Sequence, residues 1–418
     1  MDQETNRPAF TPDEVHYPSP YSSPWISYGL PYPVACAKHV AQTFHARRVY
    51  ILASGSLSRN TDAVSRLQEA IERSVGDGAV VGITRGIRPH SHYSDILGIV
   101  KEAKSTKADC LLTLGAGSLT DAAKIVSLAL ANDAISIHEL ETLRSDSPTL
   151  RDPILQAQIP TICIPTSLSA GEYTSIAGGT NDTTHHKHLF RHPSICPKLV
   201  ILDPDLSKTT PERIWLSTGV RAVDHCVEGI CSIEATPKCD RVAELGLRRL
   251  LPSLLHTKIK PVDLEPRLQC QLGAIDAIAG VLQGVPLGAS HGIGHQLGPL
   301  GVGHGETSCI LLPSVCKLNA PINSAQQQKV LDILWSEPAS TEVLKKSGFR
   351  HGEVDLGDAL DAIFKELGMS RSLKDVGIGR DKLDELATSS LTDHWCKTNP
   401  KSLAEKEHVL EVLDMVIG

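Results

Sequence analysis

No apolar run in this chain approaches the 18 residues that a membrane-spanning helix requires. The N-terminal stretch MDQETNRPAFTPDEVHYPSPYSSPW lacks the basic start and apolar core of a secretion signal. A positive excess is missing too. The formal net charge is −7, which gives neither nucleic acid nor an anionic membrane surface a reason to bind. None of the 11 cysteines belongs to a C-x-x-C pair, and their odd number argues against a disulfide framework. They sit mostly inside apolar runs, as Cys110 does in CLLTL, Cys163 in TICIP and Cys309 in TSCILLP. Buried reduced thiols in a cytoplasmic protein account for that placement, and Cys226 reads as a small core residue rather than a nucleophile. No internal repeat or low-complexity segment stands out beyond the proline-rich start, which reads as a flexible arm over residues 1–24.

What is present is a chain of 418 residues, 41% hydrophobic and 21% charged, long enough for two domains with separate cores. RVYILA at 48–53 reads as a buried strand, a helical pattern follows over 60–75, and AVVGI at 79–83 reads as a second strand. A helix over 92–105 leads to the strand CLLTL at 110–114, a glycine turn and the helix LTDAAKIVSLAL. TICIP and KLVILD (198–203) complete the strands. Such alternation predicts a parallel sheet with crossover helices. From 211 onward the patterns are helical, over 211–232, 238–256, 264–282 and several more stretches. The expected organisation is an α/β domain over 25–206 and a nearly all-helical domain over 207–418.

Three segments carry chemistry. LGAGSLTDAAK (114–124) follows a buried strand and opens a helix. Gly115, Ala116 and Gly117 would let the backbone approach an anion, Ser118 would cap the helix, and Asp121 and Lys124 lie one turn apart. Thr166 and Ser167, in IPTSLSAGE, form a second anion-friendly turn after the next strand. GVRAVDHCVEG (219–229) places Arg221, Asp224, His225 and Glu228 on one helical stripe, which alone would read as a solvated face. GASHGIGHQLGPLGVGHGE (288–306) carries His291 and His295 one turn apart, with His304 after a glycine-rich loop. Together with His225 these imidazoles offer metal ligands or a proton relay. The run HHKHLFRH at 185–192 has no regular ligand spacing and reads as an exposed loop.

These motifs resemble the iron-containing alcohol dehydrogenase family over residues 25–415. LGAGSLTDAAK is similar to that family's G-G-G-S-x-x-D-x-A-K, and HGIGHQLGPLGVGHG to its H-x-x-x-H-x-L-G…H-G segment. TNPKSL is similar to its T-N-P-R-P ending, and GVRAVDHCVEG to its metal helix. PTSLSAGEYTS and HCVEG resemble the maleylacetate reductase branch, which lacks the metal aspartate and works without iron. The resemblance implies a dehydroquinate synthase-like fold: a Rossmann-like dinucleotide-binding domain followed by a helical domain carrying the catalytic histidines. It further implies hydride transfer from a nicotinamide cofactor lying across the cleft between the domains, and a homodimer commonly joined through N-terminal strands.

The departures sharpen this. Arg221 stands where the family has its metal aspartate, and a fixed guanidinium would repel a divalent cation. Asp224, about 100° around the helix, is not expected to replace the lost ligand. No catalytic metal is therefore expected, although His225, His291 and His304 remain an alternative three-histidine zinc site. Arg221 is expected to polarise the substrate carbonyl or hold a substrate carboxylate, while His225, His291 or His295 supplies the proton. The loop from His295 to His304 is one residue shorter than the family spacing. Ser54, in LASGSL, occupies the position of a ribose-binding aspartate in NAD users, so NADPH is allowed and slightly favoured over NADH. Lys187 reads as a plain surface lysine. The leading expectation is a metal-independent NAD(P)H reductase of a carbonyl or activated C=C bond in a small molecule. A non-redox isomerase, lyase or cyclase on the same scaffold, and a degenerate binding protein, are the alternatives.

Overall fold

The structure, a computed structural model, describes residues 24–418 and the backbone of residues 15–17. The chain forms two compact units that meet in sequence between Thr209 and Thr210, so the division falls three residues beyond the expected one. The short helix that straddles residue 206 packs with the first unit. Most of the expected flexible arm lies outside the described residues. Its part at Val15–Tyr17 is a strand.

In the first unit, β1 (Val15–Tyr17), β2 (Trp25–Tyr28), β3 (Val49–Ala53), β4 (Val80–Arg85), β5 (Cys110–Gly115), β6 (Thr161–Pro165) and a further strand, Leu199–Ile201, build one sheet. Two intervening strands, β7 (Ile176–Thr180) and β8 (Lys187–Arg191), pair as an antiparallel hairpin, which makes Leu199–Ile201 β9. The sheet order is β1-β2-β9-β6-β5-β3-β4. All neighbours are parallel except the β1–β2 pair. The central strands are buried on both faces, which explains their unbroken apolar runs. Along β3, Val49, Ile51 and Ala53 face a core shared with Tyr32, Leu67 and Ile71, whereas Tyr50 and Leu52 face Tyr93, Ile96 and Val126.

The helix expected over 60–75 is α3 (Ala63–Val75), and a short helix not expected from the sequence, α2 (Gly55–Asn60), precedes it, after α1 (Tyr32–Lys38). α4 (Tyr93–Ser105) and α5 (Gly117–Ala131) cover the opposite face of the sheet from α1 and α3. The run HHKHLFRH is not a loop. Five of its residues form β8, where Phe190 is fully buried and His188 bonds Arg144. The short α6 (Ile137–Glu141) and α7 (Pro204–Ser207) complete this unit.

The second unit is helical throughout. α8 (Glu212–Cys231) is buried without a break from Trp215 to Cys231. It packs against α9 (Pro237–Ile259), α10 (Leu264–Leu282) and α12 (His304–Ser336), with α11 (Ala289–Leu297) packed on α12. A helix surrounded on all sides is expected to be apolar all round. Arg221, Asp224, His225 and Glu228 break that rule, so their stripe is an internal polar site and not a solvated face. Helices α13 (Pro338–Lys346), α14 (Leu356–Glu366), α15 (Leu383–Ser390), α16 (His394–Thr398) and α17 (Lys406–Met415) complete the unit. No helix among the described residues is long and apolar enough to cross a membrane.

Candidate active site and nucleotide cradle

The turns after β3, β5 and β6, neighbours in the sheet, lie together at their carboxyl ends. Ser54 N–H donates to Leu114 O at 2.9 Å and Thr166 N–H to Gly115 O at 3.1 Å. Successive strands here leave in opposite directions, β4 lying on one side of β3 and β5 on the other. That reversal is where doubly wound sheets bind ligands. Gly115 has φ +146°, and a Cβ there would meet Leu119 Cδ1 at 2.7 Å and Ser54 Cβ at 2.8 Å. Only glycine fits this bend. The helix cap is Ala116, not Ser118. Gly117 and Ser118 are the first helical residues, and no side chain caps α5. The N–H groups of Gly117 and Ser118 at the start of this helix are therefore not capped by a side chain, the arrangement in which helix N-termini bind phosphate. Ser118 O instead accepts from the Ser91 hydroxyl at 2.8 Å.

Ser54 caps α2, and its Oγ lies 3.0 Å from that of Ser56. A Cβ at Gly55 would stand 3.1 Å from Arg59 Nη1 and 3.3 Å from Gly86 Cα, so this guanidinium lies over the same turn. Thr166 and Ser167 are buried. Asp121 is half-buried, and desolvation pushes its carboxyl up, against the pull of Lys187 and Lys124. Lys187 therefore has an electrostatic partner within its own unit. Lys124 is not a phosphate ligand. Its fully buried ammonium donates to Gly171 O, Thr174 Oγ1 and Ile176 O, tying α5 to the loop after β6. Glu172, which the sequence reading passed over, is buried in that loop and accepts from Thr120 Oγ1 at 3.0 Å. Its burial pushes the carboxyl up.

In the second unit the histidines form two pairs. His225 and His291 are the inner pair, both buried, with ring centroids 4.6 Å apart. His295 and His304 are the outer pair, stacked at 6.1 Å. Trp395 of α16 packs on one member of each, 5.5 Å from His291 and 5.0 Å from His295. His291 and His295 share α11 by their i, i+4 spacing, and His304 opens α12. The shortened loop therefore still delivers His304 to the cluster. Burial, then the Arg221 charge, pushes His225 down to about 3 and His291 well below its ordinary value. Both inner rings are thereby biased toward the neutral form.

Arg221 is only 2% exposed. Its Nη1 donates to Thr307 Oγ1 at 3.0 Å and Ser308 Oγ at 3.2 Å. Ser308 in turn donates to Asp224 Oδ2 at 2.5 Å, and Ser290 donates to the same oxygen at 2.7 Å. Asp224 is therefore part of the cluster despite its angular offset on α8: its Oδ2 lies 3.4 Å from His291 Nδ1. Glu228 accepts from the backbone N–H groups of Gly288 and Ser290 and lies 2.8 Å from His291 Nδ1. Burial is the main cause raising Asp224 to about 6 and Glu228 to about 8. Among the described residues, Asp224, Glu228 and His291 are the one trio whose potential metal-ligating atoms lie within 4.8 Å of one another. The expected alternative trio of His225, His291 and His304 is not drawn together in this way. Of the residues that complete the cluster, Asp224 and Glu228 stood in the motif already. Ser290, Thr307 and Ser308 carried no signal of their own, because small hydroxyls inside apolar helices look like core.

A dinucleotide-binding α/β unit joined to a helical unit with an internal His/Arg/carboxylate cluster defines a class of nicotinamide-dependent oxidoreductases. The chain belongs to the iron-containing alcohol dehydrogenase family. Residues 32–204 match its "Iron-containing alcohol dehydrogenase" domain, and residues 215–417 match "Fe-containing alcohol dehydrogenase family, C-terminal". It is 38% identical over 416 residues to dehydrogenase FUM7 of Gibberella moniliformis, covering 94% of this chain and 96% of that protein. It is 25% identical over 384 residues to maleylacetate reductase 1 of Cupriavidus pinatubonensis, covering 92% of each. Its fold is similar to that of NADH-dependent butanol dehydrogenase A from Thermotoga maritima, with a TM-score of 0.76 and 23% identity over 94% of this chain and 96% of that one. The protein is an NAD(P)-dependent dehydrogenase or reductase of this family.

Proposed function

We propose that the enzyme reduces a carbonyl or activated C=C bond of a small molecule, without a metal ion, and favours NADPH. The observation that carries this reading is Arg221. Where the family aspartate would attract a divalent cation, this chain buries a permanent positive charge beside Asp224, with Ser308 bonded to both. The oxygens of Asp224 and Glu228 that face His291 already accept hydrogen bonds from protein groups, so the trio is a poor fit for a divalent ion. Arg221 acts from inside the cluster as a fixed cation. With Nη1 turned to Thr307 and Ser308, it biases the site electrostatically rather than clamping a substrate carboxylate.

Gly115, Ala116, Gly117 and Ser118 hold the pyrophosphate, with Thr166 and Ser167 beside it. A bound dihydronicotinamide supplies the hydride. The histidine cluster supplies the proton that accompanies hydride addition. Ser54 puts no carboxylate at the ribose, and Arg59 over Gly55 favours a 2′-phosphate there. The maleylacetate reductase relative supports a carboxylated enone or keto acid as substrate. A homodimer in the cytoplasm is the proposed working form.

Fluorescence titration with NADH and NADPH, followed by a scan of cofactor oxidation over keto acids and enals, tests this. The expected result is oxidation with at least one class and tighter NADPH binding. Tight cofactor binding with no oxidation of either cofactor would instead favour the isomerase or lyase reading.

A further inference from the structure

We propose that Asp393 is a positioning residue that makes His295 the proton donor of the cluster. The proposal rests on the reductase reading above, and its test separates the two. Four histidines stand in the cluster, and their surroundings divide them. His225 and His291 are buried beside Arg221 and resist protonation. His304 opens a helix, where the positive end of the dipole disfavours an imidazolium. His295 sits in the last turn of α11, where the dipole favours positive charge, with 35% of its side chain exposed. Its Nδ1 lies 2.9 Å from Asp393 Oδ2.

Asp393 does two things. Its Oδ1 accepts from Trp395 N–H at 2.9 Å and so caps α16, and its Oδ2 holds His295. The cap sets Trp395, whose ring packs on both His295 and His291. Gly292 permits the approach of α16 to α11: a Cβ there would lie 2.7 Å from Cys396 Sγ and 3.3 Å from Asp393 Oδ1. An aspartate at Nδ1 keeps that nitrogen protonated and leaves Nε2 as the exchanging site. As hydride adds to the carbonyl carbon, the C=O π pair moves onto oxygen and takes the Nε2 proton. The imidazolium becomes a neutral ring, still bonded through Nδ1–H to Asp393, and solvent returns the proton. Charged or titratable groups near this dyad include Arg221 and His225 on α8, His291 on α11, His304 on α12 and Cys396 on α16.

Asp393→Asn and Asp393→Ser test the assignment, because both side chains retain the capping ability of aspartate and lose its charge. Nitrogen-15 NMR of the full-length protein reads the His295 tautomer without any need for turnover. The wild-type ring should be Nδ1–H when neutral, and in Asp393→Asn it should shift toward Nε2–H. In turnover assays kcat should fall about 100-fold while the KM for NADPH stays within about threefold. An unchanged tautomer, or a kcat within about threefold of wild type, would overturn the proposal. If the wild type oxidises no cofactor, the reductase reading fails, and the tautomer still decides whether Asp393 positions His295.

Discussion

At the scale of single residues, the proposed chemistry turns on the balance of charge inside α8. A buried guanidinium and a buried carboxylate would each be costly alone, and Arg221 and Asp224 offset one another. Arg221→Ala leaves Asp224 with hydroxyl donors and no nearby cation. The expected cost is about 3–5 kcal/mol in urea denaturation, with a large loss of turnover and NADPH affinity within about threefold of wild type. A fall in cofactor affinity instead would show that the role assigned to Arg221 is wrong. Glu228 gives a second test. Its carboxyl is raised to about 8 from an ordinary 4.5, so the folded protein holds a proton that the unfolded chain releases. Its contribution to stability is greatest below pH 4.5 and is lost as pH rises through 8. Glu228→Gln removes that slope. The Tm of the variant relative to wild type should therefore be higher at pH 8.5 than at pH 5, by about 5 °C. An equal difference at both pH values would mean that Glu228 ionises normally. The sequence made the arginine substitution visible but not its partners. Thr307 and Ser308 lie on α12, 86 and 87 positions away, and nothing in their local pattern points at Arg221.

Elements tell a similar story. β3, β5 and β6 were legible because strands buried on both faces are written as unbroken apolar runs. β2 was not, since WISY follows a proline-rich stretch and is only four residues long. The β7–β8 hairpin was hidden by its polar turn and by the outward residues of β8, where burial alternates around Phe190. The cradle motif was read correctly as a glycine turn opening a helix, but the cap moved from Ser118 to Ala116 because Gly117 is already helical. The bend at Gly115 is the sharpest requirement of the cradle. Gly115→Ala forces a side chain into Leu119 and Ser54 at a φ that residues with a Cβ avoid. NADPH affinity should fall at least about tenfold, with the helical unit's catalytic cluster unaltered. Wild-type affinity by fluorescence titration would remove the cradle from this turn.

Over the whole molecule, the change of character near residue 206 announced two units, and the contacts divide them at 209. The proposed function divides the work in the same way, with nucleotide recognition in the α/β unit and proton chemistry in the helical one. The resemblance implies a metal aspartate at the position where this chain buries Arg221. The central claim is that the fixed charge makes a metal unnecessary. Metal content by plasma mass spectrometry, measured alongside NADPH oxidation before and after exhaustive chelation, tests it most directly. The account predicts full activity in protein carrying far less than one metal ion per chain. Complete loss of activity on chelation, restored by iron or zinc, would contradict it.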